Sequence, residues 1–105
     1  MTRYAFKMQL FPGQVAEYKK RHDELWPELA ELLSNYGISD YSIFLDESSH
    51  ALFATFLADE RFDGERLKQE PVMQRWWQFM APLMQTHEGS NEPVSTPLQS
   101  MFYLA

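Results

Sequence analysis

One imidazole sits in the middle of an apolar helical stripe. From Glu17 to Leu29 the chain reads EYKKRHDELWPEL. At about 100° per residue, Val15, Tyr18, His22, Leu25, Trp26, Leu29, Leu32 and Leu33 fall on one face, with His22 near its centre. An unperturbed imidazole titrates near pH ~6.5, which makes His22 the natural acid or base for chemistry at neutral pH. Tyr18 lies four residues earlier on the same face, so its phenol can reach the ring or a ligand shared with it. The plain alternative is a core histidine satisfied by a backbone carbonyl. His50 and His87 lie in polar stretches read as solvated loops.

Two other places carry groups suited to a small polar ligand. In QRWWQF, Trp76 and Trp77 are consecutive and point about 100° apart on a helix. Both are covered only if that helix has neighbours on two sides, or if one indole lines a pocket. Indole faces suit the C–H faces of sugars, and each N–H donates to a hydroxyl. Core packing plus a rim contact is the simpler account of the pair. Tyr41, at the start of a β-rich run, offers a further hydroxyl. Other chemistries lack their residues. There is no Gly-rich phosphate loop among four glycines, no H-E-x-x-H and no His/Cys cluster, so no metal site is legible. What remains is a pocket with one histidine, tyrosines and tryptophans, suited to proton transfer on a small polar ligand.

The elements that must hold these residues follow from hydrophobic period. RYAFKMQL (3–10) alternates with period two and reads as a strand. Pro12 and Gly13 break it, and from about Gln14 to Tyr36 the period becomes helical, with Gly37 as its stop. Pro27 falls inside this stretch and removes a helical hydrogen bond, so a kink or two abutting helices is expected. DYSIFLD (40–46) and ALFATFL (51–57) are strands joined by a hairpin loop, ESSH. A short helix is expected near 59–62, and a second main helix from Pro71 to Met84. THEGSNEPVSTP is a polar loop, with 85–96 as the candidate mobile segment, and LQSMFYL (98–104) reads as a last strand.

The order β-α-β-β-α-β is the split βαβ, or ferredoxin-like, α+β sandwich. Two helices then cover one face of a four-stranded antiparallel sheet. ALFATFL is apolar on both faces, and a sheet with one wet face should alternate more cleanly. A second layer is therefore expected over the other face. The cover that suits a chain of this length is another copy of the same sheet in a two-fold homodimer, forming a dimeric α/β barrel. Apolar positions simply carried at a surface edge are the alternative.

Length and charge bound the function. The 105 residues suit one domain, 1–105. A formal net charge of -6 argues against nucleic acid or an anionic membrane surface as partner. The absence of cysteine removes disulfide and thiolate chemistry, and no apolar run approaches ~18 residues, so a reducing cytoplasm is the default compartment.

Together, EYKKRHDELWPEL, YSIFLD, QRWWQFM and the tail SMFYLA closely resemble the L-rhamnose mutarotase family over essentially the whole chain. The resemblance implies a cytoplasmic homodimer with a ferredoxin-like fold that interconverts the α and β anomers of L-rhamnose, or a similar monosaccharide, without a cofactor. It implies His22 as proton donor and Tyr18, Tyr41, Trp76 and Trp77 as substrate contacts. His22 as the imidazolium would protonate the ring oxygen and retake the proton on closure, with water or another pocket group as the base. The alternative is a small-molecule-binding dimeric barrel of another kind, such as a cofactor-free or haem-linked monooxygenase.

Overall fold

The computed structural model describes residues 1–105. Four strands, β1 (Thr2–Gln9), β2 (Ile38–Asp46), β3 (Ala51–Ala58) and β4 (Thr96–Pro97), form one antiparallel sheet in the order β2-β3-β1-β4. Between β1 and β2 run α1 (Val15–Asp23) and α2 (Pro27–Asn35). Between β3 and β4 run α3 (Gly64–Gln69), α4 (Pro71–Met80) and one 3₁₀ turn, Ala81–Leu83. This is the ferredoxin-like α+β arrangement expected from the sequence.

Proline places the helix boundaries. Pro27 occupies the first turn of α2, where its missing N–H costs nothing, and Trp26 before it is extended (φ -60°, ψ 128°). The 14–36 segment is accordingly two helices. Pro71 likewise starts α4. Pro82 ends it, so the helix stops at Met80 and tightens into the 3₁₀ turn before Met84. The short helix begins at Gly64, later than the expected 59–62. Asp59 folds its carboxylate back onto the Arg61 N–H in a turn, and Asp63 caps the helix by accepting from the Arg66 N–H.

The even-numbered face of β1 and β3 carries Met8, Leu52, Ala54 and Phe56 into one core with Leu29 of α2, Met73, Trp76 and Met80 of α4, and Leu83. The opposite face is uncovered by anything in the chain. Phe44 and Phe53 stand directly opposite each other there, 65% and 37% exposed.

The tail departs from its expectation. Only Thr96–Pro97 pairs with β1, extended by the Leu98 N–H donating to the Ala5 carbonyl, and 98–104 forms no strand. The apolar side chains of that stretch, Met101, Phe102, Tyr103 and Leu104, are each at least 77% exposed. A strand needs a neighbour to hydrogen-bond, and within this chain the tail has none. The 85–96 loop, in contrast, is tied down. The Gln85 N–H donates to the Gln9 carbonyl, Val94 to Gln85 and His87 to Glu92, and Glu92 pairs with Lys68 of α3 at 3.2 Å.

Candidate active site

The site is built where α1, α4 and β2 meet over the sheet. Tyr18 and His22 are one turn apart on α1, and the α1 face that the apolar spacing defined does turn inward. Tyr18 is buried and His22 half-buried, with ring centroids 4.4 Å apart. Trp76, buried on α4, meets the imidazole edge-on at 5.4 Å. The indole of Trp26, from the α1–α2 connection, stands perpendicular to Trp76 at 5.1 Å and against Phe79 at 5.5 Å. On the sheet side Tyr41 stacks on Phe56 at 5.3 Å with the rings 16° from parallel.

His22 has a defined tautomer. Its Nδ1 lies 3.0 Å from the Tyr18 carbonyl. A carbonyl only accepts, so Nδ1 carries the hydrogen and Nε2 is the nitrogen left for a ligand. The backbone-satisfied histidine and the chemical histidine are thus the same residue. Withdrawal from water lowers the His22 pKa below the ordinary imidazole value. The bond to the Tyr18 carbonyl and the charge of Asp23 oppose the shift without reversing it. At neutral pH the ring is therefore predominantly neutral, and its Nε2 is a base.

The two phenols stay protonated throughout the physiological range. Burial, aided by the proximity of Tyr41, raises the Tyr18 pKa well above that of a free phenol. Tyr41 is 41% exposed as a residue, yet its hydroxyl is withdrawn from water, which pushes its pKa up to about 12. Both groups are neutral hydrogen-bond partners for hydroxyls.

Of the five residues singled out from sequence, four converge: Tyr18, His22, Tyr41 and Trp76. Trp77 packs half-buried against the core and shares no ring contact with the imidazole, as its position 100° round the helix would have it. The sequence reading missed the support around them. Arg21, next to His22, stacks its guanidinium 4.1 Å from the Phe79 ring centroid, donates to the Phe79 carbonyl at the end of α4, and pairs with Glu17 at 2.7 Å. Its signal was the i, i+4 spacing of Glu17 and Arg21. A hollow of about 220 Å³ lined by Glu17, Lys20, Arg21, Glu24, Trp26 and Phe79 lies outside this brace, and a second of about 960 Å³ lies along Tyr36, Phe62 and Arg66. Neither includes His22.

Comparison with known proteins gives one family. The model of the L-rhamnose mutarotase family matches residues 3–104. The L-rhamnose mutarotase of Mesorhizobium japonicum is 52% identical over 103 residues, which cover 98% of this chain and 97% of that one. That of a Jannaschia species is 52% identical over 104 residues, 99% of each. The crystal structure of an L-rhamnose mutarotase from Formosa agariphila superposes with a TM-score of 0.91 at 46% identity, covering all of both chains.

Proposed function

The chain belongs to the L-rhamnose mutarotase family, and on that premise we propose that it interconverts the α and β anomers of L-rhamnose, an aldose isomerisation, at the site formed by Tyr18, His22, Tyr41 and Trp76. The observation that carries the mechanism is the half-buried imidazole whose Nδ1 is occupied by the Tyr18 carbonyl and whose Nε2 is left to a ligand. Identity of 52% to L-rhamnose mutarotases over nearly the whole chain favours this function over the monooxygenase alternative, for which the fold alone speaks.

Mutarotation opens the pyranose to the free aldehyde and recloses it on the other face. A proton leaves the anomeric hydroxyl, the bond between C1 and the ring oxygen breaks, and a proton reaches the ring oxygen. Both oxygens are bonded to C1, so one suitably placed group can serve both. His22 is neutral in its resting state, so it acts first as the base. Nε2 takes the proton of the anomeric hydroxyl, becomes imidazolium, and returns that proton to the ring oxygen as C1 becomes the aldehyde. Burial, which works against the charged ring, favours this order over one that starts from an imidazolium donor. After rotation about the C1–C2 bond the same steps run in reverse. The phenols of Tyr18 and Tyr41 hold sugar hydroxyls, Trp76 packs against the pyranose and its methyl, and Trp77 forms the rim. Residues 1–105 act as one domain, in the cytoplasm. The chain pairs as a homodimer closed over the Phe44–Phe53 face, a reading supported by the exposed phenylalanine pair and by the unpartnered tail.

NMR magnetisation exchange between the two anomeric protons of L-rhamnose tests this. Catalytic amounts of protein should accelerate exchange, and His22→Ala should lower the rate by ~10²–10⁴, the usual contribution of one general acid–base group. Unchanged exchange in a folded His22→Ala protein would remove His22 from the chemistry. No acceleration by wild type would reject the activity.

A further inference from the structure

Tyr41 should not point where it does. Strand residues alternate between faces, and β2 begins in register with β3. Ile38 lies opposite Ala58 on the helix side, and Ser39 lies opposite Leu57 on the open side. Continued alternation would put Tyr41 on the open face, away from His22. The pairing instead resumes with Ser42 opposite Thr55, so two residues of β2, Asp40 and Tyr41, span the position of one residue of β3. This is a β-bulge, and it returns Tyr41, and after it Ile43 and Leu45, to the helix side. Asp40 makes it by adopting a left-handed conformation, φ 51°, which is uncommon for a residue with a side chain and which aspartate tolerates better than most.

The bulge is held from outside. Arg3, on the open face of β1, reaches over β3. One guanidinium nitrogen donates to the Thr55 hydroxyl at 3.0 Å, and the other donates to the Asp40 carboxylate at 2.7 Å. The fork therefore ties the left-handed residue on β2 to β1, bridging the intervening β3 through Thr55. Tyr41, the next residue, stacks flat on Phe56 on the opposite side of the sheet. The side chains of Arg3 and Asp40 pair with each other and with Thr55, and with neither Tyr18, His22 nor Trp76.

We infer that Arg3 and Asp40 are positioning residues for the sugar site: their ion pair across the sheet holds the bulge that aims the Tyr41 hydroxyl at the substrate. The inference rests on the reading of Tyr41 as a substrate contact. It adds a second requirement, that Tyr41 is placed by residues on the far side of the sheet. The conformation and the fastening are separable. Asp40→Asn keeps a residue that tolerates the left-handed region, and retains an acceptor for Arg3 without the charge. Asp40→Ala loses both. Arg3→Lys keeps the charge, but one ammonium lacks the planar fork that spans Thr55 and Asp40.

The test measures Tyr41 directly and then its effect. In protein carrying ring-labelled tyrosine, the Tyr41 resonances, assigned by their disappearance in Tyr41→Phe, report stacking on Phe56. Asp40→Ala should move them toward free-tyrosine values, Arg3→Lys less so, and Asp40→Asn should largely restore them. In anomer exchange, Asp40→Ala should raise KM by about 3–10-fold with kcat changed about 2-fold or less, the pattern of a lost binding contact. Asp40→Ala protein that keeps the Tyr41 resonances of wild type would overturn the inference, whatever Tyr41 does. Shifted resonances in Asp40→Ala, with KM unmoved in both Tyr41→Phe and Asp40→Ala, would leave the bulge as the device that aims Tyr41. That result would overturn instead the assignment of Tyr41 to the substrate.

Discussion

At the scale of single residues, burial decides what His22 does. Its spacing on the α1 stripe was legible, because an ionisable group at the centre of an apolar arc stands out in any helical projection. Its charge state was not legible. That state depends on how much water reaches the ring and on the carbonyl of Tyr18, one turn earlier, which only the folded helix brings to 3.0 Å. Two consequences share one sign. The pKa of His22 is lowered in the folded protein, while the unfolded chain takes up its proton near pH ~6.5. Stability contributed by the neutral ring is therefore present above pH ~6.5 and lost as pH falls toward the folded value. The melting temperature should drop over that window, and His22→Gln should remove that part of the drop in a pH series of thermal melts. Anomer exchange should follow the same proton from the other side. The rate should hold through neutral pH and decline on the acid side of pH ~6.5, because protonated Nε2 cannot accept the anomeric proton. A rate that rises on acidification through that window would restore the imidazolium as the resting form.

At the scale of elements, the site depends on two helices from different halves of the chain keeping their places. α1 carries Tyr18 and His22, α4 carries Trp76, and Arg21 braces one against the other through the ring and carbonyl of Phe79. Lysine at position 21 could still pair with Glu17, but it offers no planar group to lie on the Phe79 ring and a single ammonium for two acceptors. Arg21→Lys should therefore lower kcat about 3–10-fold through displacement of Trp76 from His22, with little change in the thermal melt. A lost melt with normal kcat in the residual folded protein would make Arg21 merely structural. Pro71 announced its helix start, because the ring's fixed φ and missing N–H suit the first turn, while Pro27 announced only a break that the structure resolves as the start of α2. The bulge at Asp40 left a fainter trace. Ile38, Tyr41, Ile43 and Leu45 share one side of the strand, and the step of three between the first two breaks the period of two. Gly37 was read correctly as a helix stop, and the structure adds why it is glycine. Its φ is +76°, and a Cβ there would lie 1.9 Å from the Asp59 carboxylate, which is itself engaged with Arg61. Gly37→Ala should cost about 1–3 kcal/mol, read as a lowered urea midpoint with unchanged slope.

At the scale of the whole molecule, the two expectations that concerned the outside of the chain are the ones that differ in outcome, and they have one physical cause. ALFATFL was read as apolar on both faces, and the folded sheet does leave Phe44 and Phe53 facing outward. LQSMFYL was read as a strand, and it is not one within this chain, although its apolar side chains are real and exposed. Pattern reports which residues want to be covered, and it says nothing of whether the cover belongs to the same chain. The proposed homodimer would cover both surfaces, since a two-fold pairing lets each sheet face cover the other and gives each tail a strand edge to join. The isolated chain should thus be the minor species. Light scattering after size exclusion should give twice the single-chain mass for wild type, and the single-chain mass for Phe44→Glu, which sets like charges against each other at the two-fold face. Truncation after Pro97 should weaken the pair and make its mass depend on concentration. The His22 site lies on the helix side of the sheet, across from Phe44, so Phe44→Glu monomer should still exchange rhamnose anomers. Wild type that runs at the single-chain mass across the micromolar range would refute the homodimer, and inactive but folded Phe44→Glu monomer would show that the second copy helps to build the site.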